Sequence, residues 1–305
     1  MGLSEDFLSK LNELIPADRI LLNDPMKDHT TFKVGGPAGA LVTVYKVKEL
    51  QGLLALLKAT GTDFFILGNG SNLLVSDKGY DGVAVKLSGK FDSSSVEDGV
   101  LGAGGGALLS RVCSLAQSEG LSGLEFAYGI PGSVGGAIVM NAGAYGGEMA
   151  GVVSTVTLMD YNGEIVTLNG DQMAFDYRDS ILRHKQYIVL AVEFKLISDD
   201  KEKILYAMQE NLGKRKEKQP LDYPSAGSTF KRPKGHFAGK LIEEAGLSGK
   251  RVGGAAVSKK HCGFIVNNGG ASGSDIDALI KEVQEAVFLN SGVQLEPEVI
   301  RIGEF

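Results

Sequence analysis

Apolar residues recur at helical spacing twice within the first 60 residues. The first helix is predicted to begin after Ser4, which can cap it, and the second is predicted over residues 48–59. The apolar positions that define these helices are Phe7, Leu8, Leu11, Leu14 and Ile15, and then Leu50, Leu53, Leu54 and Leu57. Short β-rich runs between and after them predict strands: ALVTVY, DFFIL, LLVS and VAVKL. The first 90 residues therefore alternate helix and strand.

Two further blocks follow along the chain. The second, from about residue 91, holds the helical run ALLSRVCSLAQSEG and the strands VSTVTLMD, EIVTL and YIVLAVEFKLI. The third holds a polar helix from about Asp199, the strands GGAAVS and GFIVN, a helix over residues 275–288 and a last strand, LEPEVIRI. Strands outnumber those of a simple doubly wound sheet, so we predict an α+β protein in three parts: residues 1–90, 91–200 and 201–305. The last strand is predicted within residues 292–305, and it can join the structure formed by the first two parts.

The composition is that of an ordinary globular protein, with 43% hydrophobic and 22% charged residues. No apolar run approaches the roughly 18 residues that a membrane span requires. The net charge of −6 argues against a broad surface for nucleic acid or anionic membrane. Positive charge is nevertheless concentrated at Lys214, Arg215, Lys216, Lys218, Lys231, Arg232 and Lys234. These residues form either a solvated helix end and a basic loop, or a clamp for a phosphorylated ligand.

The two cysteines, Cys113 and Cys262, are far apart in sequence and form no C-x-x-C pair. Neither a disulfide framework nor a zinc site is indicated. The amino-terminal sequence MGLSEDFLSKLNEL has neither the basic region nor the apolar region of a secretion signal. We therefore expect a cytoplasmic protein.

Glycine is concentrated in two clusters. The first, in ILGNGSNLLV, places the polar residues 68–72 between two apolar strands. Glycine lets backbone N–H groups approach an anion, and Asn and Ser add side-chain donors, so this loop suits a pyrophosphate; a tight turn without a ligand is the alternative. The second cluster, GIPGSVGGAIVMNAGAYGG, holds seven glycines in nineteen residues. Ser133 can cap a helix that starts in this cluster. The cluster suits either contact with a flat cofactor or phosphate, or helix packing through small residues.

A third glycine pattern, G-x-G-x-x-A, is formed by Gly102, Gly104 and Ala107 ahead of a helix, as in a Rossmann nucleotide site. The preceding segment SSSVEDGVL is too polar for a buried parallel strand. No acidic residue ends an apolar strand about 20 residues further on. We therefore expect this pattern not to bind a dinucleotide.

Four segments carry candidate chemistry. Arg178, in YRDS, can stabilise an oxygen that becomes negative, or it can pair with a carboxylate to pin a loop. Hydroxyl groups in YPSAGSTFKRP can donate a proton or merely cap a turn. His261 and Cys262 are expected on a strand, where they point to opposite faces, so Cys262 is predicted to pack rather than react. Glu296 and Glu298 are expected on one side of the last strand, as a general acid or as solvated residues.

Eight segments, taken together and in this order, resemble the UDP-N-acetylenolpyruvoylglucosamine reductase family. They are HTTFKVGGPA, ILGNGSNLLVSDKG, GLSGLEFAYGIPGSVGGAIVMNAGAYGGEM, FDYRDS, PSAGSTFKRP, AGKLIEEAGLSG, GGAAVSKKHCGFIVN and LEPEV. Because they run from about residue 29 to residue 299, the resemblance covers nearly the whole chain. It implies an α+β protein with the vanillyl-alcohol-oxidase/PCMH-type FAD-binding fold. In that fold two subdomains hold FAD without a Rossmann motif, and here a C-terminal α+β domain would bind the substrate.

The resemblance also implies non-covalent FAD, with NADPH as co-substrate, in a monomer. In the family's reaction NADPH reduces the flavin and leaves, and UDP-N-acetylglucosamine enolpyruvate enters the same cleft. The flavin N5 then gives a hydride to C3 of the enolpyruvyl group, and the product is UDP-N-acetylmuramate, a peptidoglycan precursor. The residues expected to bind FAD by motif position are Gly68, Asn69, Gly70, Ser71, Asn72, Leu73, Gly129, Ile130, Pro131, Gly132, Ser133, Gly135, Gly136, Asn141 and Tyr145.

Three catalytic residues are implied by the same resemblance. Ser228, which follows Ala226 and Gly227, is the expected proton donor to C2 of the substrate. Arg178 and Glu298 are expected to stabilise the enolate-like intermediate through its carboxylate. Glu298 can do so only when it is protonated or acts through a relay.

One departure from the family pattern concerns the segment between Arg183 and Tyr187, which is only three residues long. The extra tyrosine-bearing loop of some members is therefore absent, and the chain resembles the shorter type. No motif therefore identifies the residues that bind the substrate, and the candidates are selected by their charge and their position in the sequence. They are Tyr177, Lys218, Arg232, Lys259 and His261.

Two other functions stay open on the sequence. One is an FAD oxidase of the same fold that acts on another alcohol or sugar. The other is an inactive protein that binds a nucleotide sugar. The presence together of Arg178, Ser228 and Glu298 favours the reductase.

Overall fold

The protein, described here by a computed structural model over residues 3–305, divides into two compact units. The first unit comprises residues 3–22, 40–69 and 82–214. The second comprises Asn23–Gly39, Gly70–Asp81 and Arg215–Phe305. Each unit is thus assembled from three separate stretches of chain. The division into three parts with boundaries near residues 90 and 200 stays a prediction.

The helices and strands alternate along most of the chain. The helices are α1 (Glu5–Leu14), α2 (Val47–Thr60), α3 (Leu109–Ser118), α4 (Val134–Val139), α5 (Met149–Val152), α6 (Lys201–Lys218), α7 (Ala238–Glu244) and α8 (Gly273–Ser291). The strands are β1 (Ile20–Pro25), β2 (Pro37–Val44), β3 (Phe64–Leu67), β4 (Leu73–Val75), β5 (Tyr80–Leu87), β6 (Ser94–Glu97), β7 (Val100–Gly104), β8 (Leu121–Ser122), β9 (Gly143–Ala144), β10 (Gly147–Glu148), β11 (Val153–Asp160), β12 (Ile165–Asn169), β13 (Tyr187–Phe194), β14 (Ile197–Ser198), β15 (Arg251–Val252), β16 (Ala255–Val257), β17 (Ile265–Asn267) and β18 (Ile300–Ile302).

Both amino-terminal helices are confirmed. The Ser4 hydroxyl accepts a hydrogen bond from the Phe7 N–H at 3.2 Å, which satisfies one of the free donors at the start of α1. Helix α2 ends at Gly61, whose φ of +63° is the left-handed conformation that a terminating glycine adopts without cost. Phe7 and Leu11 of α1 and the leucines of α2 are buried in one core of the first unit, together with apolar residues of β2 and β5.

The first unit contains two larger sheets. One has the order β1-β2-β5-β3, in which β3 and β5 are parallel. The other has the order β12-β11-β13-β7-β6, and all its neighbouring strands are antiparallel. Strand β1 was not predicted, because Leu21 and Leu22 are exposed and its sequence shows no alternation. Strands β1, β2 and β5 each pass along the chain from one unit to the other.

The second unit is built around α8. Ser272 and Asp275 form a capping box at its start, and Gly292 ends it with a φ of +70°. Its buried face packs into a core with α7 and with β16 and β17 of the antiparallel sheet β15-β16-β17. Strand β18 pairs in parallel with β4, so the end of the chain joins a segment near residue 74.

Two expectations for the third block are wrong in detail. The last strand begins only at Ile300, because Pro297 has no N–H and forms just an isolated bridge with Phe230. His261 and Cys262 lie in the turn between β16 and β17 rather than on a strand. Cys262 is nevertheless buried in the core of the second unit, so its predicted packing role is confirmed.

Across residues 3–305, no helix combines the length and the apolar character needed to cross a lipid bilayer.

Asp277 provides a test of how α8 is attached within the second unit. Its carboxylate, only 5% exposed, accepts hydrogen bonds from the Arg301 Nε at 2.5 Å and the Lys281 Nζ at 2.6 Å. Burial opposes ionisation, but the bonds from Lys281 and Arg301 outweigh it and lower the pKa of Asp277 below 3.8. Asp277→Asn is therefore expected to reduce the free energy of unfolding at pH 7 by about 1–3 kcal/mol.

The pH dependence of this effect has a definite sign. A carboxyl group whose pKa is lowered by folding stabilises the protein above its unfolded pKa, and this contribution is lost as the pH falls through the folded value. Urea unfolding of the native protein and Asp277→Asn should therefore differ at pH 7 and converge in acid. Glu285→Gln, an exposed change on the same helix, is the control. A difference that persists unchanged in acid would contradict the role of the charge.

Candidate active site

A cleft of about 370 Å³ opens in the first unit. This volume lies within the roughly 300–1,000 Å³ range of small-molecule sites. Its residues come from the ends of β3 and β5, from the loop before α3, from α4 and from β13. The glycines among them are Gly68, Gly105, Gly106, Gly135 and Gly136, and the polar and charged residues are Asn69, Lys86, Ser88, Asp92, Arg111, Ser133 and Tyr187.

The glycines of the cleft are required by close backbone packing. A Cβ atom on Gly105 would lie 2.1 Å from the Val189 carbonyl oxygen, and one on Gly106 would lie 2.4 Å from the Leu87 oxygen. The Gly135 N–H donates to the Gly105 carbonyl at 2.7 Å. Two glycine-rich loops are thus joined backbone to backbone, which leaves their surfaces bare of side chains.

Ser133 sets the direction of the second glycine loop. It is buried, and its Oγ accepts a hydrogen bond from the Gly136 N–H at 3.2 Å, so it caps α4 as predicted. The Asn69 amide donates to the Pro131 carbonyl at 3.1 Å. The predicted cofactor residues Gly68, Asn69, Ser133, Gly135 and Gly136 are therefore brought together at one cleft. Gly129, Ile130 and Gly132 lie in the loop that leads to it.

The G-x-G-x-x-A pattern is not a Rossmann turn, as expected, because β7 is antiparallel to both β6 and β13. The same loop nevertheless lines the cleft through Gly105 and Gly106. Sequence reasoning missed this contribution, although the run of three glycines in GAGGG was a signal of close backbone approach. It also missed Lys86 and Arg111, since an isolated basic residue has no distinguishing pattern.

The rest of the first glycine cluster belongs to the second unit. Gly70 has a φ of +62°, and a Cβ there would lie 1.9 Å from the His29 carbonyl oxygen. Ser71, Asn72 and Leu73 follow it into β4. The Asn72 side-chain amide donates to the Glu298 carbonyl at 3.1 Å, and the Asn72 backbone carbonyl accepts from the Ile300 N–H at 2.9 Å.

Thr229 holds the segments of Ser228 and Glu298 together in the second unit. Thr229 is fully buried, its N–H donates to the Gly263 carbonyl at 2.8 Å, and its hydroxyl accepts from the Ile265 N–H at 3.0 Å. Its carbonyl accepts from the Glu298 N–H at 2.8 Å. The Ser228 side chain beside this anchor is exposed, and Glu298 is half-buried. Two of the three predicted catalytic residues therefore lie on paired segments.

Arg178, in the first unit, lies at the tip of a two-residue turn. Asp176 and Asp179 exchange backbone hydrogen bonds of 3.1 Å in both directions. Arg178 has a φ of +55°, a conformation that costs a non-glycine residue about 1–3 kcal/mol. Its Nη2 donates to the Gly143 carbonyl at 3.1 Å, and its guanidinium lies 5.2 Å from the ring centre of the exposed Tyr177. The His184 ring pairs with Asp179 at 2.8 Å and lowers the pKa of that carboxyl.

Asn141 is buried, and its side chain is bonded within the first unit. It donates to the Asp176 carbonyl at 3.0 Å and accepts from the Ala150 N–H at 2.9 Å. The predicted contact of Asn141 with a cofactor therefore has no support from its amide. Tyr145 is exposed at the tip of the β9–β10 hairpin, where it and Gly146 both have positive φ.

The remaining candidates lie in the second unit. Lys218 ends α6, and Lys259 is exposed beside Gly249. The Arg232 guanidinium stacks 4.0 Å from the ring centre of Phe237. Burial lowers the pKa of His261, whose Nδ1 accepts from the Gly263 N–H at 3.1 Å. The exposed Glu296 carboxylate forms an ion pair with the Lys231 Nζ.

Comparison with known proteins defines the class and then the family. Residues 38–169 match an FAD-binding domain, and they include most of the residues around the cleft. The protein is therefore a flavoprotein of mixed α and β structure. Residues 219–302 match the C-terminal domain of UDP-N-acetylenolpyruvoylglucosamine reductase. Together with the relatives described next, this shows that the chain belongs to the UDP-N-acetylenolpyruvoylglucosamine reductase family.

Similar proteins match along almost their whole length. The UDP-N-acetylenolpyruvoylglucosamine reductase of Caldanaerobacter subterraneus is 50% identical over 99% of this chain and 100% of its own. That of Clostridioides difficile is 46% identical over 99% of both chains. The crystal structure of the enzyme from Thermus caldophilus superposes with a TM-score of 0.81, at 40% identity, over 93% of this chain and 98% of that one. The predicted α+β fold, in which an FAD-binding domain is followed by a C-terminal domain of the reductase family, is confirmed.

Gly136 tests whether FAD occupies the cleft. Gly136 lines the cleft, and a Cβ there would meet only the Ser133 Oγ, at 3.3 Å, a tight contact that a shift of a few tenths of an ångström relieves. Gly136→Leu is expected to weaken FAD binding by more than about tenfold, because a leucine side chain fills space that a ligand needs. Titration of apoprotein with FAD, followed by flavin fluorescence, measures the affinity.

The matched control is Gly151→Leu, an exposed helical glycine outside the cleft whose Cβ would meet nothing within 4 Å. It should bind FAD as the native protein does. Equal affinities of the two variants would show that FAD does not use this face of α4.

Proposed function

We propose that this protein uses FAD and NADPH to reduce the enolpyruvyl group of UDP-N-acetylglucosamine enolpyruvate, forming UDP-N-acetylmuramate for peptidoglycan synthesis. The observation that carries the proposal is the Thr229 anchor, which pairs the segments of Ser228 and Glu298 within the domain matched by the reductase family. The near full-length similarity to proteins named as this reductase supports it. A cytoplasmic location and a monomeric state are part of the proposal, on the family resemblance.

The cofactor would be held non-covalently by the two glycine loops of the cleft. Glycines at 68, 135 and 136 and the loop of Gly105 and Gly106 present bare backbone, which suits close contact with a flat or phosphorylated group. Gly70, Ser71, Asn72, Leu73, Pro131 and Tyr145 are proposed to complete the contacts. When bound, FAD would take a hydride from NADPH and deliver it to the substrate.

Ser228 is proposed to donate the proton. Its exposed hydroxyl follows Gly227, which has a φ of +76°, and precedes Thr229, which is fixed by three hydrogen bonds. The backbone next to Ser228 is therefore fixed while its hydroxyl is exposed to a ligand. Proton transfer to a defined carbon requires both properties. The Oγ–H bond of Ser228 would break as the C2–H bond of the product forms, and a proton relayed by Glu298 would restore the serine hydroxyl.

Arg178 and Glu298 are proposed to stabilise negative charge on the substrate. The planar guanidinium of Arg178 can donate to a carboxylate through several N–H groups. Hydride addition to the enolpyruvyl double bond places charge on the adjoining carboxylate, so a cation there lowers the energy of the transition state. Glu298 contributes when protonated, or by relaying a proton towards Ser228.

Substrate binding is proposed for Tyr177, Lys218, Arg232, Lys259 and His261. The three basic side chains supply positive charge for a diphosphate. His261 contributes differently, because its lowered pKa keeps the ring neutral near pH 7. Since its Nδ1 accepts a bond from Gly263, the proton resides on Nε2, which can donate to a ligand.

Anaerobic absorbance spectroscopy tests the reaction. The flavin bands of the holoprotein are expected to bleach when NADPH is added and to return when UDP-N-acetylglucosamine enolpyruvate follows. Bands that stay bleached until air is admitted would indicate an oxidase instead. Absence of bands after incubation with FAD would indicate a protein that only binds a nucleotide sugar.

Ser228→Ala tests the proton donor. Flavin reduction by NADPH should be nearly unchanged, while reoxidation by the enolpyruvyl substrate should slow by about 10²–10⁴-fold, the usual contribution of a general acid. Stopped-flow absorbance separates the two half reactions. Ser225→Ala, in the same loop, is the control and should be close to native. If both half reactions of Ser228→Ala slowed equally, the proton-donor role would be refuted.

A further inference from the structure

Asn141 occupies an unusual position for a polar residue of a cofactor loop. It is 1% exposed, and its φ is +40°. Its amide group connects two segments that are distant in sequence: the oxygen accepts from the Ala150 N–H at the start of α5, and the nitrogen donates to the Asp176 carbonyl. The second bond ends at the first residue of the turn that carries Arg178.

The turn of Arg178 is tied to this part of the first unit at two further points, and one more hydrogen bond lies within its own loop. The Arg178 Nη2 donates to the Gly143 carbonyl, two residues after Asn141. Ser180, also buried, donates from its hydroxyl to the Val139 carbonyl at 2.9 Å. Arg183 Nη1 donates to the carbonyl of Arg178 itself at 3.1 Å. Backbone and guanidinium are therefore fixed against the same stretch, residues 139–143.

We infer that Asn141 is a positioning residue for Arg178, which acts through the Asp176 carbonyl and not through contact with FAD. This inference rests on the function proposed for Arg178. Without the amide donor the Asp176 carbonyl loses its bond to residue 141, at the base of a turn whose tip is strained. Arg178 then samples other orientations, and a misplaced cation stabilises the transition state less.

Asn141→Gly removes both the donor and the acceptor of the side-chain amide, and glycine tolerates the positive φ. The expected result is reoxidation by the enolpyruvyl substrate that is slower by about 10–100-fold, as for a catalytic group displaced by about 1 Å. FAD affinity of the apoprotein and the rate of flavin reduction by NADPH should stay within about twofold of native. Loss of FAD affinity with normal reoxidation of the loaded protein would instead restore a cofactor-binding role and overturn the inference.

A double-mutant cycle with Arg178→Ala separates positioning from general destabilisation. In the Arg178→Ala background, Asn141→Gly should slow reoxidation by less than about threefold, because the group that it positions is gone. The same 10–100-fold loss in both backgrounds would show that Asn141 acts on the fold in general. Asn23→Gly, another asparagine with positive φ, is the matched control and should leave both rates unchanged.

Thermal unfolding shows whether Asn141→Gly folds normally. If it does not, a second variant tests the same inference. Asn141→Asp keeps the size and the acceptor for Ala150, and it replaces the donor to Asp176 by an oxygen. It should slow the same half reaction, and a native rate at alkaline pH, where the new carboxyl is ionised, would overturn the inference. If Arg178→Ala does not slow reoxidation, the proposed role of Arg178 itself is refuted. If Arg178→Ala slows reoxidation but Asn141→Gly reoxidises at the native rate, only this inference is refuted.

Discussion

The first unit depends on the close approach of two backbones at Gly135 and Gly105, where the Gly135 N–H donates to the Gly105 carbonyl oxygen at 2.7 Å. Such an approach has no room for side chains, since a Cβ on Gly105 would overlap the carbonyl of Val189. The contact joins the loop before α3 to the start of α4, and the cleft lies along the joined loops. Glycine here does two things at once: it permits the packing, and it leaves peptide groups uncovered where a ligand can meet them.

Much of this could be predicted from the sequence. The two amino-terminal helices, the hairpin of β11 and β12 and the capping serine of α4 follow from periodicity and from turn chemistry, which are local. The family resemblance supplied the fold class, because eight ordered motifs constrain the whole chain. These predictions were successful because each depends on residues that are close in sequence or on a pattern shared by many chains.

Other features depend on distant contacts that no local pattern specifies. Strand β1 exposes Leu21 and Leu22, so its sequence does not alternate as a half-buried strand does. The sequence placed His261 on a strand, whereas hydrogen bonds around Ser258 and Gly263 fold it into a turn. The role of Thr229 was hidden as well, since a threonine in a polar loop appears as a turn residue until its partners at Gly263, Ile265 and Glu298 are known.

The pairing of β4 with β18 bears on how the molecule is made. Asn72 and Glu298 are hydrogen-bonded although they are 226 positions apart, and the second unit combines two early segments of the chain with one late segment. During synthesis, residues 23–39 and 70–81 leave the ribosome long before their partners in residues 215–305 exist. The second unit therefore cannot complete its fold as an independent late domain, because β4 has no β18 to pair with until translation is nearly finished.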